Sequence, residues 1–485
     1  MIFYNSKNIT RGCLHNITKK PIDINIHTKL SPIMKRFYVI IIAALTSALS
    51  LKAQPELTLP FMQSVFQSSY INPTVVPEHS FSLGIPGSSV FAQFVSNGFI
   101  PKNMFDYRND TMHANLNSML NDMGDNNLLY FAENADIFHI RTKVLNGFFW
   151  FGIRQNSTFS FNYPKDLFSL VIQGNEQFAG SSLDLSSMKI NVMLYNEYTF
   201  GMMKEFPKWI FGGRISVLQG LSNVRFNPTV LKVNIDDETY AHVATADGKV
   251  ETAGLPHNSD GDVDFDPVDG TWLTNYLTNF KNKGFALSGG VTYKYDDYTR
   301  LSFSFYDLGF ITWKDSIQTY TINGQTNFDG FDILTNFLND TDMKLDSLLD
   351  DMKDDFDRDT VTTKYRTWLN PKFTFSATYN IFSRTQVGFS FNALINQKLY
   401  PSLTLGVSQG LGRFLNIVGT ASYNYRTISN LGVGLMIKPG PFQFFTVVDN
   451  TYPLINPLKV TNLNVRVGLN FVFGRIKQPD GLPFR

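Results

Sequence analysis

The sequence predicts an all-β fold, a transmembrane antiparallel β-barrel of about 14 strands with long extracellular loops and an N-terminal plug. The clearest evidence is the segment Leu463–Phe473, whose odd positions are all large and apolar, with Asn464, Arg466, Gly468 and Asn470 between them. Successive side chains of a strand point to opposite faces, so this segment has one apolar and one polar face. One such strand also fits a soluble sandwich. Repetition of the pattern in many long strands behind an export signal favours a barrel that faces lipid outside and a polar lumen inside.

Composition points away from an ordinary soluble protein and from a nucleic-acid partner. The chain has 485 residues, of which 43% are hydrophobic and 14% aromatic. Only 17% are charged, compared with roughly 25% in soluble domains. The formal net charge is +1, so there is no excess of positive charge to hold a nucleic acid. The length allows either several soluble domains or one large barrel.

Residues 34–53 have the anatomy of a secretory signal. Lys35 and Arg36 give it a positive start, an apolar run follows, and Ala53 ends a cleavage motif before Gln54. We therefore expect export and cleavage between Ala53 and Gln54. A short N-terminal anchor helix is the alternative interpretation, although the apolar run is short for a membrane span.

Residues 1–33 precede this signal and have no apolar periodicity, so we interpret them as an extension upstream of the true start site. The chain's one cysteine, Cys13, lies in that extension. The mature protein is therefore expected to have neither a disulfide nor a thiol nucleophile, and no cysteine that could carry a lipid anchor.

Residues 54–145 are expected to contain the first strands and a plug for the barrel lumen. Asn72-Pro73 predicts a turn, and strand-like runs follow at Phe81–Pro86 and Val90–Val95. A short helix, either packed within a loop or part of the plug, is predicted by four residues spaced as one helical face: Leu116, Met119, Leu120 and Met123.

Residues 146–473 are predicted to form the main barrel, with acidic loop insertions at 222–283 and 323–370 and a tail at 474–485. Together with the two early runs, the predicted strands number about 14, an even count as in bacterial barrels. The strands are Gly147–Tyr163, Met188–Phe200, Trp209–Leu221, Phe285–Tyr295, Leu301–Thr321, Lys372–Ile381, Thr385–Ile395, Ser402–Gln409, Phe414–Tyr425, Ser429–Ile437, Phe442–Val448 and Leu463–Phe473.

The connections sort by length in a way that supports a barrel. If the last strand runs toward the periplasm, five tight turns fall on the periplasmic side and the long insertions fall outside. Outer-membrane barrels show this asymmetry. Only residues 97–145 fit poorly, because they form a long stretch assigned to the periplasmic side. The tight turns lie near Pro207, Asp297, Ser383, Gly412 and Gly440.

Patterns that suggest ligand chemistry fail their structural requirements. Asp260, Asp262, Asp264 and Asp266 resemble the start of a calcium loop, but the Gly and Glu that such a loop needs at later positions are missing. Residues 341–356 predict an amphipathic helix with an acidic polar face, which we expect to pack within its loop rather than on a membrane.

The glycines and histidines of the sequence do not indicate a nucleotide-binding, catalytic or metal site either. Gly406, Gly410 and Gly412 lie in and after a strand with no helix behind them, unlike a nucleotide loop. We find no nucleophile elbow, metalloprotease helix or phosphate loop, and we expect no catalytic residue, cofactor or metal ion. Five histidines are scattered without metal-ligand spacing: His79, His113, His139, His242 and His257.

The final strand resembles the terminal recognition signal of outer-membrane barrels. Its marks are Arg466, Gly468 and the aromatic pair Phe471 and Phe473. The resemblance implies that the barrel assembly machinery recognises this strand. The tail 474–485 departs from the signal, because many such barrels end at the aromatic residue.

The chain also resembles an uncharacterised family of outer-membrane β-barrels typical of Bacteroidota, a domain of unknown function. Its marks are QSSYINPT at Gln67–Thr74 and the segment Gly284–Lys314. More loosely, the early Asn-Pro and the strand count resemble long-chain fatty acid transporters and the anchor barrels of type IX secretion. Thr74 and Val75 replace the Ala-Gly of those proteins, so the resemblance implies the fold but not fatty acid transport.

Two functions are consistent with the sequence. One is a channel or transporter for a small solute, hydrophobic solutes included, in the outer membrane of a Gram-negative bacterium. The other is a non-transporting barrel whose loops anchor cell-surface or secreted proteins. Outer-membrane lipid and the barrel assembly machinery are expected partners of both.

Overall fold

The strands close into one barrel wall. The computed structural model describes residues 56–108, 111–256, 270–328, 357–396, 398–424 and 427–476, which belong to one compact unit. Wall strands pair antiparallel with their neighbours, and the first pairs with the last, with Phe81 opposite Phe473 and Val90 opposite Val467. Closure leaves the wall without an open edge, as a barrel in lipid requires.

The described strands are numbered in chain order. They are β1 (His79–Gly84), β2 (Ser89–Ser96), β3 (Phe105–Arg108), β4 (Thr111–Ala114), β5 (Asn126–Val144), β6 (Gly147–Pro164), β7 (Ser182–Asp184), β8 (Lys189–Glu205), β9 (Trp209–Phe226), β10 (Val230–Ile235), β11 (His242–Ala253), β12 (Lys283–Lys294), β13 (Thr299–Trp313), β14 (Ile317–Phe328), β15 (Asp357–Val361), β16 (Tyr365–Trp368), β17 (Lys372–Phe382), β18 (Thr385–Asn396), β19 (Lys398–Leu411), β20 (Leu415–Asn424), β21 (Thr427–Ile437), β22 (Phe442–Val448) and β23 (Asn462–Arg475).

The described helices are short. The α-helices are Pro101–Met104, Leu116–Asp122, Lys165–Gln173, Gly270–Thr278 and Tyr452–Ile455, and the 3-10 turns are Leu59–Phe61, Phe66–Tyr70, Glu176–Phe178 and Pro457–Lys459. None of the helices in the described ranges has the length and apolar character needed to cross a membrane. The predicted helix with Met119 and Leu120 is confirmed, and both side chains are buried against the loops around it.

Fourteen strands form the wall. β1 and β2 act as one wall strand with an interruption at residues 85–88, since both pair with β5 on one side and β23 on the other. The other members are β5, β6, β8, β9, β12, β13 and β17 to β23.

The predicted count of 14 is therefore confirmed, but through two errors that cancel. The sequence pattern treated Phe81–Pro86 and Val90–Val95 as two strands, whereas they belong to one. The pattern also missed β5, which lies within residues 97–145, where no wall strand was predicted. A β-bulge at Ile137 shifts the alternation of β5, so no single period of two runs along it.

The two ends of the barrel differ. At one end, the turn end, six connections have two to four residues: 145–146, 206–208, 295–298, 383–384, 412–414 and 438–441. At the other, the loop end, lie the long connections 97–125, 165–188, 227–282, 314–371 and 449–461. The predicted sorting of turns and loops is confirmed. Residues 97–125 join the other long loops, so the one exception in the sequence pattern disappears.

Four of the long loops contain strands that the sequence pattern did not predict, and strands from three of these loops form one sheet. β11 continues the sheet from wall strand β9, and β14 pairs along its whole length with β11. β10 and β7 extend this sheet on one side and β15 on the other. We call these five strands, β7, β10, β11, β14 and β15, the canopy. The predicted strand Leu301–Thr321 is thus two strands, β13 in the wall and β14 in the canopy. The acidic cluster Asp260–Asp266 and the predicted helix 341–356 lie outside the described residues.

The wall is apolar outside and polar inside, the reverse of a soluble barrel. On β19, Leu405 is 59% exposed whereas the adjacent Thr404 is fully buried. On β23, Arg466 and Asn470 point inward and are buried, and Val467 and Phe473 point outward. This confirms the two-faced strand with which the prediction began and identifies a wall made for a lipid bilayer. Exposed aromatic residues surround the turn end, as at a membrane interface: Phe206, Trp209, Tyr295, Tyr298, Phe382, Phe414, Phe442 and Phe473.

A charge on the outer face should be costly in proportion to its depth in the bilayer. Leu405 lies at the middle of β19 and Leu411 at its turn end, and both point outward. We expect Leu405→Arg to lower the free energy of unfolding by about 2–4 kcal/mol and Leu411→Arg by about 0–1 kcal/mol. Urea titrations of the barrel in lipid vesicles measure both values. Equal costs at the two positions would contradict a membrane-spanning wall.

Candidate functional site

The lumen is filled by the N-terminal segment 56–78, which we call the plug. It consists of two 3-10 turns, Leu59–Phe61 and Phe66–Tyr70, and the extended chain around them. The plug's apolar side chains pack against inward-facing wall residues of β13, β20, β21 and β22. This cluster contains Leu59, Phe61, Met62, Val65 and Ile71 from the plug, and Tyr306, Val418, Met436, Phe445 and Val447 from the wall.

Glycines in the wall provide the space that the plug occupies. A Cβ atom at Gly406 would lie 2.6 Å from the Phe61 ring, and one at Gly432 would lie 2.1 Å from the hydroxyl of Thr58. A Cβ atom at Gly212 would lie 2.4 Å from the carbonyl oxygen of Pro73. The glycine that superficially suggested a nucleotide loop therefore has a packing role.

The start of the plug is held by an acidic residue of the wall. The backbone N–H groups of Leu57 and Thr58 donate to the Asp449 carboxylate at 3.1 and 2.7 Å. The hydroxyls of Thr58 and Thr420 lie 2.8 Å apart. Asn464 donates to the same carboxylate at 3.2 Å. The carboxylate thus connects the plug to β22 and β23.

A buried ion pair joins the plug to the last strand. The Arg466 guanidinium donates to both carboxylate oxygens of Glu56, at 2.7 and 2.8 Å, and to the Ser89 hydroxyl at 2.8 Å. Arg466 is 1% exposed. Breaking such a pair leaves an unpaired charge in the barrel interior, which costs several kcal/mol.

The middle of the plug makes an amide network with the wall. Gln67 exchanges two hydrogen bonds with Asn470, both at 3.0 Å, and donates to Asp136 at 3.0 Å. Asn470 also donates to Gln443, which donates in turn to the backbone carbonyl of Ser64. These contacts tie the plug to β5, β22 and β23 together.

Tyr70 closes the network on the other side of the lumen. Its hydroxyl donates to Asp136 at 2.8 Å, and the guanidinium of Arg154 lies 4.5 Å from its ring centre. Burial, reinforced by the Asp136 carboxylate, raises the pKa of Tyr70 well above its usual value. The phenol therefore remains a donor at neutral pH.

A ring of paired charges surrounds the same level of the lumen. Arg154 pairs with Glu197, and Asp307 accepts a hydrogen bond from Lys372 at 2.6 Å and lies 3.5 Å from the Arg214 guanidinium. Each of these cations has an acidic partner, and Arg214 and Lys372 share one, so three cations face two carboxylates.

The Asn72-Pro73 turn predicted from the sequence is confirmed. The side chain of Asn72 accepts from both the backbone N–H and the hydroxyl of Thr74, at 3.0 and 2.7 Å. The Thr74 hydroxyl reaches Thr292 of β12. The turn directs the chain from the lumen toward β1.

A second apolar cluster fills the lumen toward the loop end. At its centre is Trp313, which is fully buried and donates to the Thr367 hydroxyl at 2.8 Å. Leu218, Ile311 and Leu369 pack around it. The lumen is thus occupied at two levels. The plug fills one level, and the cluster around Trp313 lies at the other, toward the loop end.

The residues of the predicted assembly signal lie together on β23 but on different faces. Arg466 points inward to Glu56, and Gly468 makes room for the Phe445 ring, which a Cβ atom there would approach to 2.3 Å. Phe471 and Phe473 point outward. Recognition by the assembly machinery stays a prediction. The cleavage residues Ala53 and Gln54 lie outside the described residues.

Sequence reasoning identified the motif Gln67–Thr74 but missed the acidic residues that hold the plug. Asp136 and Asp449 are charges in or beside membrane-spanning strands, a signal that marks inward-facing functional positions. Within the described ranges, no group of three or more His, Asp or Glu side chains could hold a metal ion. Of the predicted histidines, His139 is buried and stacks on the plug's Phe66, with ring centres 3.9 Å apart.

Comparisons with known proteins give a family and several structures of similar proteins. A family model described as "Family of unknown function (DUF5723)" matches residues 73–449, which confirms the predicted resemblance to an uncharacterised family. No curated protein matches the chain.

Among solved structures, the toluene transporter TbuX of Ralstonia pickettii is 10% identical, with a TM-score of 0.41 over 83% of this chain and 92% of that one. The toluene transporter TodX of P. putida is 9% identical, with a TM-score of 0.41 over 84% and 95%. A Pseudomonas aeruginosa FadL homologue is 10% identical, with a TM-score of 0.40 over 87% and 99%. The fold of this chain is established by the pairing of its own strands and does not depend on these comparisons.

Contact between the plug and the wall glycines can be tested by substitution. Gly406→Ala should lower the free energy of unfolding by about 1–3 kcal/mol, because the new methyl group overlaps the Phe61 ring. In a Phe61→Ala background the same change should cost much less. Urea titrations in lipid vesicles measure both differences.

Gly419→Ala is the matched control, since Gly419 lies on the neighbouring strand β20 and a Cβ atom there meets nothing within 4 Å. We expect it to change stability by less than about 0.5 kcal/mol. If Gly406→Ala is as costly without the Phe61 ring as with it, the plug does not occupy the lumen at this point.

Proposed function

The chain belongs to the family of unknown function DUF5723, and we propose that it is an outer-membrane channel that the plug closes and that opens for a small solute when the plug moves. The observation that carries the proposal is how the lumen is filled. A separate segment fills it, and the wall around that segment includes glycines that leave room for it.

A barrel that is always closed does not need a separate segment in its lumen. Barrels of about eight strands are filled by their own wall side chains, and wider ones enclose a cavity or channel. A 14-stranded wall could still be filled by large inward side chains, which cannot leave. Here Gly388, Gly406, Gly432 and Gly434 face the plug instead. Removal of the plug would leave an open lumen at this level.

The plug can move without damage to the wall. It continues into the wall only at His79, the start of β1, so its displacement unpairs no wall strand. Its polar contacts include hydrogen bonds to Asp449, Asp136 and Asn470, each worth about 0.5–3 kcal/mol net, and the ion pair of Glu56 with Arg466, which costs several kcal/mol to break unless water or solute reaches both charges. Water and a polar solute can replace such contacts one at a time. The paired charges of Arg154, Glu197 and Asp307 would then line the open path.

The membrane assignment is part of the proposal. The outward apolar face, the aromatic residues at the turn end and the difference between turns and loops fit an outer membrane, with the turn end in the periplasm. The proposal further includes assembly through the terminal strand and no enzymatic step. The class of solute is left to experiment.

A second candidate is the docking barrel, which the canopy favours. Its outer strands β7 and β15 each pair with one neighbour among the described strands. Such edges can accept a strand from a partner protein. A docking barrel would use the canopy and would not require the plug to move.

A reversible lock on the plug separates the two candidates. Thr58→Cys with Thr420→Cys places two thiols where the hydroxyls lie 2.8 Å apart, and the cysteine-free mature sequence expected here leaves no other thiol. We expect reduced protein in liposomes to admit small uncharged solutes, and oxidised protein to admit no more than protein-free liposomes. Liposome swelling with solutes of graded size measures the rates.

Thr404→Cys with Ser422→Cys is the control pair. These residues face each other on neighbouring wall strands, with hydroxyls 3.0 Å apart, so their disulfide fixes only the wall and should leave permeation unchanged. Equal permeation in both states of the first pair would contradict a moving plug. No permeation in its reduced state, with full binding of a cell-surface protein, would favour the docking barrel.

A further inference from the structure

A small cavity, which we call the vestibule, lies between the underside of the plug and the turn end of the wall. Its volume is about 140 Å³. Phe61, Gln63 and Ser64 of the plug close it on one side. Val76 and Glu78, at the end of the plug, also line it, and the rest of its lining comes from the turn ends of β13, β17 to β21 and β23.

The vestibule concentrates positive charge. Among its lining residues Glu78 is acidic, whereas five are cationic: Arg300, Arg384, Arg413, Lys438 and Arg475. The whole chain has a net charge of only +1. A cleft lined by charges of one sign focuses the field and raises the local concentration of ions of opposite charge.

These cations differ from three others that face the lumen. Arg466, Arg154 and Lys372 each have an acidic partner. Within the described ranges, no carboxylate lies at ion-pair distance from Arg384, Arg413 or Arg475, and Lys438 contacts the ring of His79 at 3.2 Å. The charges of Arg384, Arg413 and Arg475 are therefore not paired with a carboxylate in the part of the chain that the structure describes.

Neutral polar residues line the same space. Gln386 and Asn416 are two of them. Each amide has two N–H groups, one of which donates to a neighbouring wall residue, so the other can donate to a bound anion.

We propose that the vestibule binds one small oxyanion, a phosphate or carboxylate group, between plug and wall. Guanidinium groups bind such anions through short charge-assisted hydrogen bonds, often two at a time. The volume suits one such group, and the plug above makes the vestibule a dead end, which an extended acidic peptide could not enter. The group is either a free ion or the head of an amphiphile. The site does not require solute to cross the barrel, so it stands apart from the proposed channel.

Binding of inorganic phosphate to the full detergent-solubilised protein tests the site. Titration calorimetry at fixed ionic strength should show saturable binding that weakens about tenfold or more in the double variant Arg384→Gln/Arg413→Gln, since both removed groups donate to the anion. Both residues are exposed at turns, and heat-modifiable migration on gels verifies that the variant is folded. Dodecyl phosphate is the second probe. Tighter binding than phosphate assigns the site to an amphiphile's head group, and equal binding assigns it to the free ion.

Lys143→Gln/Lys208→Gln is the matched control. It removes two exposed cations of the same end that do not line the vestibule, and we expect it to change phosphate affinity by less than about twofold. Absence of saturable binding to the unmodified protein would overturn the proposal, as would an equal loss in the control. Binding of a polyglutamate peptide without binding of phosphate or acetate would assign the charge to a protein partner instead.

Discussion

The closure of the wall is the constraint on which the rest of the structure depends. In lipid no water is available to satisfy backbone groups, so a sheet that crosses the bilayer must join its first strand to its last. Here β23 pairs along its length with both halves of the interrupted first strand, β1 and β2. With fourteen strands joined in this way, the outward positions must be apolar, and the inward ones surround a lumen wider than that of the small barrels that wall side chains fill.

The plug fills this lumen, and its contacts explain why charged side chains of the wall point inward. Arg466 would be a buried, unpaired cation without Glu56, and Asp449 would lack the N–H groups of Leu57 and Thr58. Because an uncompensated buried charge is strongly destabilising, each side stabilises the other. Glycines at Gly406 and Gly432 complete the fit. The result is a lumen that is densely packed by a segment that continues into the wall only at His79.

Much of the wall could be predicted from the sequence, because apolar and polar residues alternate along each strand according to the face on which they lie. β5 could not, since the bulge at Ile137 shifts its pattern and Asp136, His139 and Arg141 give it a polar character. The plug contacts were beyond local reasoning: Glu56 and Arg466 are 410 positions apart. The motif Gln67–Thr74 was visible, but its role depends on Asn470 and Asp136, whose positions only the closed wall fixes. The canopy was missed because most of its strands lie within stretches identified as loops, and because the start of β14 was merged with β13 into one predicted strand, Leu301–Thr321.

Amide hydrogen exchange of the unmodified protein in lipid nanodiscs tests the central claim, that residues 56–78 lie inside the closed barrel. Peptides from Leu57–Ile71 should exchange nearly as slowly as those from β23, because their N–H groups are buried and bonded to Asp449 or within the 3-10 turns. The exposed canopy turn at residues 236–241 provides the fast reference. Exchange of Leu57–Ile71 as fast as that turn, with β23 still protected, would show that the barrel is closed but the plug is not in it.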